Sequence, residues 1–293
     1  DLLMTGSETL IKENYTYNRY PSDRFYDSIT IAPDAHGAVI SIENNVIVGQ
    51  SPLRFWPGFN YGTVNIQANT IHMISSFQPY PLLHRLNTQG VWTINNNQYT
   101  SEPSQPVIFE DERVGGSDRY TFTEWKSHFG FDTNSTSKNS ALPVDSTIII
   151  PNQDDPNRFH IAIYNWSKKT SVDLDLSQYF KPGDKYTLYS AQNYLAGPIT
   201  SGTISAPTLS IPMNGLNAAP ILYGENWPYA SAGFPKLVSA QPTSPEFGAF
   251  VLMKMGEAPI ETPQEPTKPN PKPEPTPISP PSLSPNKSSE SAS

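Results

Sequence analysis

Five residues in the first third of the chain have the side chains that proton transfer and anion neutralisation need: Asp34 and His36 in Asp34-Ala-His36-Gly37, then Arg54, then the adjacent His84-Arg85. A carboxylate or an imidazole can take up or deliver a proton, and a guanidinium neutralises a neighbouring anion. The same residues also fit ordinary surface positions or, for a histidine, a bond to a turn carbonyl. Aromatic residues accompany them. Tyr15, Tyr17, Tyr20, Phe25 and Tyr26 form one group, and Phe55-Trp56-Pro-Gly-Phe59-Asn-Tyr61-Gly62 forms another. Trp and Tyr faces stack on sugar rings, and a Pro-Gly turn would present Trp56 outward. Tyr20, Trp56 and Tyr61 are therefore the substrate-contact candidates, with packing over an apolar interior as the competing use of these rings. No metal site is expected, because there is no His-x-x-x-His or clustered-carboxylate spacing and the chain has no Cys. Nothing in the sequence assigns a cofactor.

These residues lie between segments that repeat. Ile11-Lys-Glu-Asn14-Tyr-Thr, Ile42-Glu-Asn-Asn45-Val-Ile47, Ile66-Gln-Ala-Asn69-Thr-Ile71 and Ile94-Asn-Asn-Asn97-Gln-Tyr99 share the form Ile-x-x-Asn-x, followed by Thr, Ile or Tyr. The Asn residues are 31, 24 and 28 positions apart. A marked unit recurring at that spacing suggests stacked strands of a solenoid, with Ile positions in the interior and Asn in a tight turn. Asn tolerates the left-handed backbone region, and its amide can bond to the equivalent amide in the next unit. The charged candidates fall in the longer inserts between repeats, where binding residues concentrate. His72 and Glu43 sit at different offsets from their repeat Asn, so spacing does not place them over one groove.

The repeat resembles the right-handed parallel β-helix of pectate lyases, polygalacturonases and other polysaccharide-active bacterial proteins, over about the first 40% of the chain. A short helix is expected within Ser117–Gly130. Thr121 and Glu124 have capping-box spacing, Phe122, Trp125 and Phe129 share a face, and Gly130 suits a left-handed C-cap. Phe122-Thr-Glu-Trp125 and Gly130-Phe-Asp132-Thr-Asn134-Ser135 resemble the segment that closes the last coil in such proteins. Glu124 thus has a structural role, against a catalytic alternative for Glu124, His128 or Asp132. Further on, seven alternating segments, Thr147–Ile150, Arg158–Trp166, Ser171–Leu176, Lys185–Ser190, Ile199–Ser205, Thr208–Met213 and Phe247–Lys254, read as an antiparallel β-sandwich. His160-Ile-Ala-Ile-Tyr-Asn-Trp166 and Pro182-Gly-Asp-Lys-Tyr-Thr-Leu188 resemble the small sandwich appended to glycan-degrading enzymes.

The fold expected is therefore all-β, with parallel β-helix coils over 1–116, a closing helix and connector over 117–143, a sandwich over 144–256 and a Pro-rich tail over 257–293. That tail holds 11 of the 31 prolines and few large apolar residues, so it cannot offset its ordering entropy and reads as an extended spacer. Because the chain starts at Asp1 and no cap precedes Ile11, further modules of the same polypeptide are expected upstream, and the tail leads toward others downstream. A net charge of −8 without clustered Lys and Arg argues against nucleic acid. No apolar run approaches the ~18–20 residues that span a bilayer. The resemblance implies a secreted or cell-surface protein whose partner is a polysaccharide, acting as a lyase or a glycoside hydrolase. A non-catalytic adhesin or carbohydrate-binding module is the alternative, and a single-face cluster of acid, base and cation would separate the two.

Overall fold

In the computed structural model, the described residues are 2–4, 8–19, 27–32, 37–56, 61–74, 81, 83–86, 90–103, 106–113, 116–220 and 242–255. Asp1–Gly256 is one compact unit. The Pro-rich residues 257–293 form a second and lie outside the described residues.

The chain is all-β in character. It opens with strands β1 (Leu2–Met4), β2 (Glu8–Lys12) and β3 (Tyr15–Asn18). The same order returns as β4 (Asp27–Ile31), β5 (Ala38–Glu43) and β6 (Val46–Gly49), and again as β7 (Ser51–Phe55), β8 (Tyr61–Gln67) and β9 (Thr70–Met73). A fourth round supplies β10 (Leu83–Leu86), β11 (Val91–Asn95) and β12 (Gln98–Ser101). Each round adds one strand to each of three sheets. The first has the order β1-β4-β7-β10, the second β11-β8-β5-β2 and the third β12-β9-β6-β3, every pair parallel.

The marked residues line up across the rounds. Ile11, Ile42, Ile66 and Ile94 are register partners, each at most 2% exposed. Burying an Ile side chain is worth about 1.5–3 kcal/mol, so this column is a large part of the core. Next to it runs a column of amides. Asn45 donates Nδ2–H to Asn69 Oδ1 at 2.9 Å, and Asn69 does the same to Asn97 Oδ1 at 3.1 Å. Each Oδ1 also accepts the backbone N–H of the previous Asn, at 3.0 Å in both steps. The second Nδ2 hydrogen goes to a strand carbonyl, Ile11 O from Asn45 and Ile42 O from Asn69. The left-handed residue is not the column Asn but the one before it: Glu13, Asn44, Ala68 and Asn96 have φ between 55° and 58°. The corner thus divides two tasks between neighbours, a positive φ at the first and a buried, fully bonded amide at the second.

The stack ends at β13 (Phe109–Arg113), parallel to β10, followed by antiparallel β14 (Gly116–Tyr120). Then comes α1 (Phe122–Phe129), capped by Thr121 and Glu124 in a complete capping box and closed by Gly130 at φ 71°. Strand β15 (Thr136–Lys138) continues the third sheet. Ser135 stands at the fifth column position, its Oγ accepting the Asn97 backbone N–H at 2.8 Å, and the fully buried Asp132 backs it, accepting from Tyr99 Oη, Trp125 Nε1, Ser135 Oγ and Asn97 Nδ2. Trp125 is also fully buried, stacked on Phe109 at 5.0 Å.

The remaining strands are antiparallel: β16 (Ser146–Pro151), β17 (Arg158–Tyr164), β18 (Ser171–Asp175), β19 (Lys185–Ser190), β20 (Thr200–Thr203), β21 (Thr208–Pro212) and β22 (Phe247–Met255). A five-stranded sheet, β16-β17-β22-β19-β20, and a two-stranded one, β18-β21, share a core that includes Ile161, Leu188 and Leu252 from the first and Leu174 and Ile211 from the second. A separate apolar cluster joins this two-sheet body to the outward face of the third sheet: Val48 and Ile74 meet Tyr164, Trp166 and Phe247, and Tyr17 stacks on Phe247 at 5.2 Å.

Substituting Asn69→Leu strands several buried donors and acceptors along the column, so stability falls by about 3 kcal/mol or more, whereas Asn14→Leu at the exposed end of the column costs about 1 kcal/mol or less. Ala68→Gly relieves a left-handed alanine and raises stability by about 0.5–1 kcal/mol. Equilibrium urea unfolding of the three variants measures both effects.

Candidate functional site

Strands of the first sheet alternate, as the pleat requires. Ile29, Ile31, Leu53, Phe55, Leu83 and Phe109 point into the core and are at most 1% exposed. The residues between them belong to the outward face, and the register aligns them in one row: Thr30 beside Arg54, Arg54 beside position 84, position 84 beside Glu110, and Glu110 beside Arg119 on β14. Neighbouring strands lie about 4.8 Å apart, so the row brings hydroxyl, guanidinium and carboxylate side chains together on one face.

Two ion pairs organise the row. Arg54 Nη1 lies 3.6 Å from Asp27 Oδ2, which also accepts the Thr30 hydroxyl at 3.0 Å. Asp27 is buried, and its Oδ1 has no hydrogen-bond partner among the described residues. At the far end Arg119 Nε donates to Glu110 Oε2 at 2.8 Å. Beyond Arg54 the chain carries Trp56, 44% exposed and, among the described residues, the one substrate-contact candidate that faces solvent. It is held from three directions. Its backbone N–H donates to Ile31 O at 3.0 Å, its carbonyl accepts the Tyr61 hydroxyl at 3.0 Å, and the Arg54 guanidinium sits 5.0 Å from its ring centre. The two hydrogen bonds fix the Trp56 backbone, and the exposed indole, with Arg54 against its ring, offers a flat apolar face.

The other expected site residues have different fates. Arg85 is one residue out of phase with position 84 and faces the core, where it continues the inward column of Ile31 and Phe55. Its Nε donates to buried Asp111 at 2.8 Å, and Trp92, Trp125, Phe129 and Phe131 ring its guanidinium at 4.7–5.8 Å. Arg85 therefore stabilises the closed end of the stack and is not part of the outward row. Tyr61 is 1% exposed, and burial pushes its hydroxyl above the ordinary tyrosine range despite the bond to Trp56. Its ring is a core residue of the β8 strand, and its contribution to the site is to hold Trp56. Asp34, His36 and Tyr20 lie outside the described residues, as do Phe25, Tyr26 and Phe59. His84 is placed by its backbone alone.

Thr30, Glu110 and Arg119 belong to the row, and Asp27, in phase with Ile29, reaches it through Arg54 and Thr30, although no sequence motif points to any of the four. The signal that could have found them is register in the first sheet, which the Asn motif does not mark. Among the described residues no three His, Cys, Asp or Glu side chains cluster as a metal site, and no helix is long and apolar enough to cross a membrane.

No family model, curated protein or solved structure matches this chain.

Truncating Arg85→Ala takes the guanidinium away from the buried Asp111 carboxylate, and the expected loss is about 3–5 kcal/mol in a urea titration. Tyr61→Phe removes the bond that fixes Trp56, lowering stability by about 1–2 kcal/mol. In Tyr61→Phe the steady-state anisotropy of tryptophan emission also falls.

Proposed function

We propose that this protein acts on a polysaccharide, with the first sheet's outward row as the contact surface and Trp56 as the stacking platform. The observation that carries the reading is the exposed Trp56, its backbone fixed at both polar groups, beside the partly exposed Arg54, with buried Asp27 and Thr30 behind that guanidinium. In this reading the three-sheet body is a right-handed parallel β-helix, of the kind that the Ile-x-x-Asn repeat resembles. Its strand order and its columns of Ile and Asn support that assignment. The two-sheet body is an accessory sandwich, residues 257–293 are a spacer, and the protein works outside the cell or on its surface.

Sugar hydroxyls and ring faces ask for this mixture of groups. A guanidinium and a carboxylate side by side bond hydroxyls as donor and acceptor, and Trp56 covers the C–H face of a ring. If cleavage occurs, Asp27 and Glu110 are the carboxylates at hand and Arg54 is the cation that would neutralise a uronate. The pairing of Arg54 with Asp27 and of Arg119 with Glu110 favours a second reading, a binding module without chemistry, since both carboxylates are committed to cations.

A panel of plant, algal and microbial polysaccharides tests this, with affinity electrophoresis for binding, ultraviolet absorbance for the unsaturated ends a lyase makes, and reducing-end release for a hydrolase. Retention by at least one neutral or acidic glycan is expected, weakened about tenfold or more by Trp56→Ala, a loss of about 1.4 kcal/mol. Binding without cleavage selects the module reading. Absence of binding throughout, or undiminished binding by Trp56→Ala, overturns the proposal.

A further inference from the structure

The outward face of the third sheet carries one buried titratable group that neither the core nor the candidate site uses. His72 on β9 alternates with the inward-facing Ile71 and Met73 and is nevertheless 0% exposed, because the two-sheet body covers this face. Its Nδ1 lies 2.7 Å from Thr100 Oγ1 and its ring meets the Trp166 ring edge-on at 4.7 Å. Its Nε2 is buried with no hydrogen-bond partner among the described residues. The apolar side of the joint consists of Val48, Ile74, Ala162, Tyr164, Trp166 and Phe247.

We propose that the joint between the two bodies is an acid-released clamp, closed while His72 is neutral and opened when His72 takes up a proton. This goes beyond the polysaccharide reading and does not depend on it.

Geometry sets the cost of that proton. A neutral imidazole has one N–H donor and one acceptor; bonded to Thr100 through Nδ1, it leaves one uncharged ring nitrogen unpaired. An imidazolium has two N–H donors, and the second has no acceptor among the described residues, at the cost of a buried unsatisfied charged donor beside an apolar cluster. The charged and titratable groups around the joint do not repair this. From the third sheet come Tyr15 and Tyr17 on β3, Arg19 just after it, Glu102 after β12 and Lys138 on β15. From the two-sheet body come Tyr164, Lys168 and Glu246. Arg19 is committed to Glu102 and Glu246, and Glu246 also receives Lys168 at 2.6 Å and the Tyr17 hydroxyl. Burial and then the charge of Arg19 push His72 down to about 4.

His72 titrates at its ordinary value near 6.5 once the joint opens and near 4 while it is closed. Docking is therefore at full strength well above pH 6.5 and weakens as pH falls, by up to about tenfold per pH unit between the two values, and by about 300-fold in all once the pH is below 4. Glu246 acts in a lower window. Burial raises its carboxyl, but the bonds from Lys168 and Tyr17 and the charge of Arg19 outweigh this and hold it below its ordinary value of 4.5, so its contribution is lost only below that. Between pH 6.5 and 4.5 the slope belongs to His72.

The test follows the full chain from pH 7.5 to 4.5 by small-angle scattering and Trp emission, with far-UV dichroism as a check on folding, at a urea concentration that poises the joint near its midpoint. The expected result is expansion and red-shifted Trp emission as pH falls from 6.5 to 4.5, with dichroism unchanged and the docking constant falling about 40-fold over those two units. His72→Gln, which keeps a partner for Thr100 but cannot titrate, is expected to flatten the curve, and Glu246→Gln to leave its slope intact. A flat wild-type curve overturns the proposal, and this outcome needs no variant. An unchanged slope in His72→Gln, loss of the slope in Glu246→Gln, or dichroism lost in step with expansion overturns it equally.

Discussion

Buried amides must be bonded or they destabilise the fold by several kcal/mol, and in this protein one row of them fixes the register of the second and third sheets. Asn45, Asn69 and Asn97 are each about 1% exposed, and each carboxamide is satisfied only when the next round of chain is in register. Slipping one strand by a residue would turn its Asn outward and its Ile away from the core, stranding donors on both sides. The column thus supplies specificity and the Ile column beside it supplies the hydrophobic driving force. The left-handed residue that precedes each Asn makes the corner tight enough for both.

This division explains what could be read from the sequence. Ile-x-x-Asn is visible because two demands, a buried aliphatic and a buried amide, fall at fixed spacing on either side of a short corner. The second and third sheets flank that corner, so their strands and register follow from it. The first sheet is reached through inserts of varying length, and its register is set by hydrogen bonding that no motif records. Arg85 illustrates the consequence: next to a position in register with Arg54 and Glu110, it turns inward to an aromatic cage. Asp27, Thr30, Glu110 and Arg119 carry no sequence signal for the same reason. The seven antiparallel strands were legible from alternation and turn residues alone, and the helix from its capping box, because both signals are local.

Aromatic residues do three separate jobs that composition does not distinguish. Trp125 and Phe109 seal the end of the stack, where Asp132 gathers the hydroxyl and indole donors that would otherwise be stranded. Tyr17, Tyr164, Trp166 and Phe247 make the joint between the bodies. Trp56 stays exposed, its backbone carbonyl bonded by Tyr61 from the core. The candidate site is in this sense an extension of the packing. Its outward residues lie on the first sheet, which is reached through inserts from the two sheets whose register the amides fix.

That dependence can be examined at the amides themselves. Hydrogen exchange of the Asn side-chain Nδ2–H groups, followed by NMR, reports whether they are locked in the column. Exchange of Asn45, Asn69 and Asn97 only on the timescale of global unfolding, with Asn14 exchanging freely, is the expected result. Fast exchange at Asn69 while the backbone amides of β8 and β9 stay protected would contradict it, since the strands would then hold their register without the amide column.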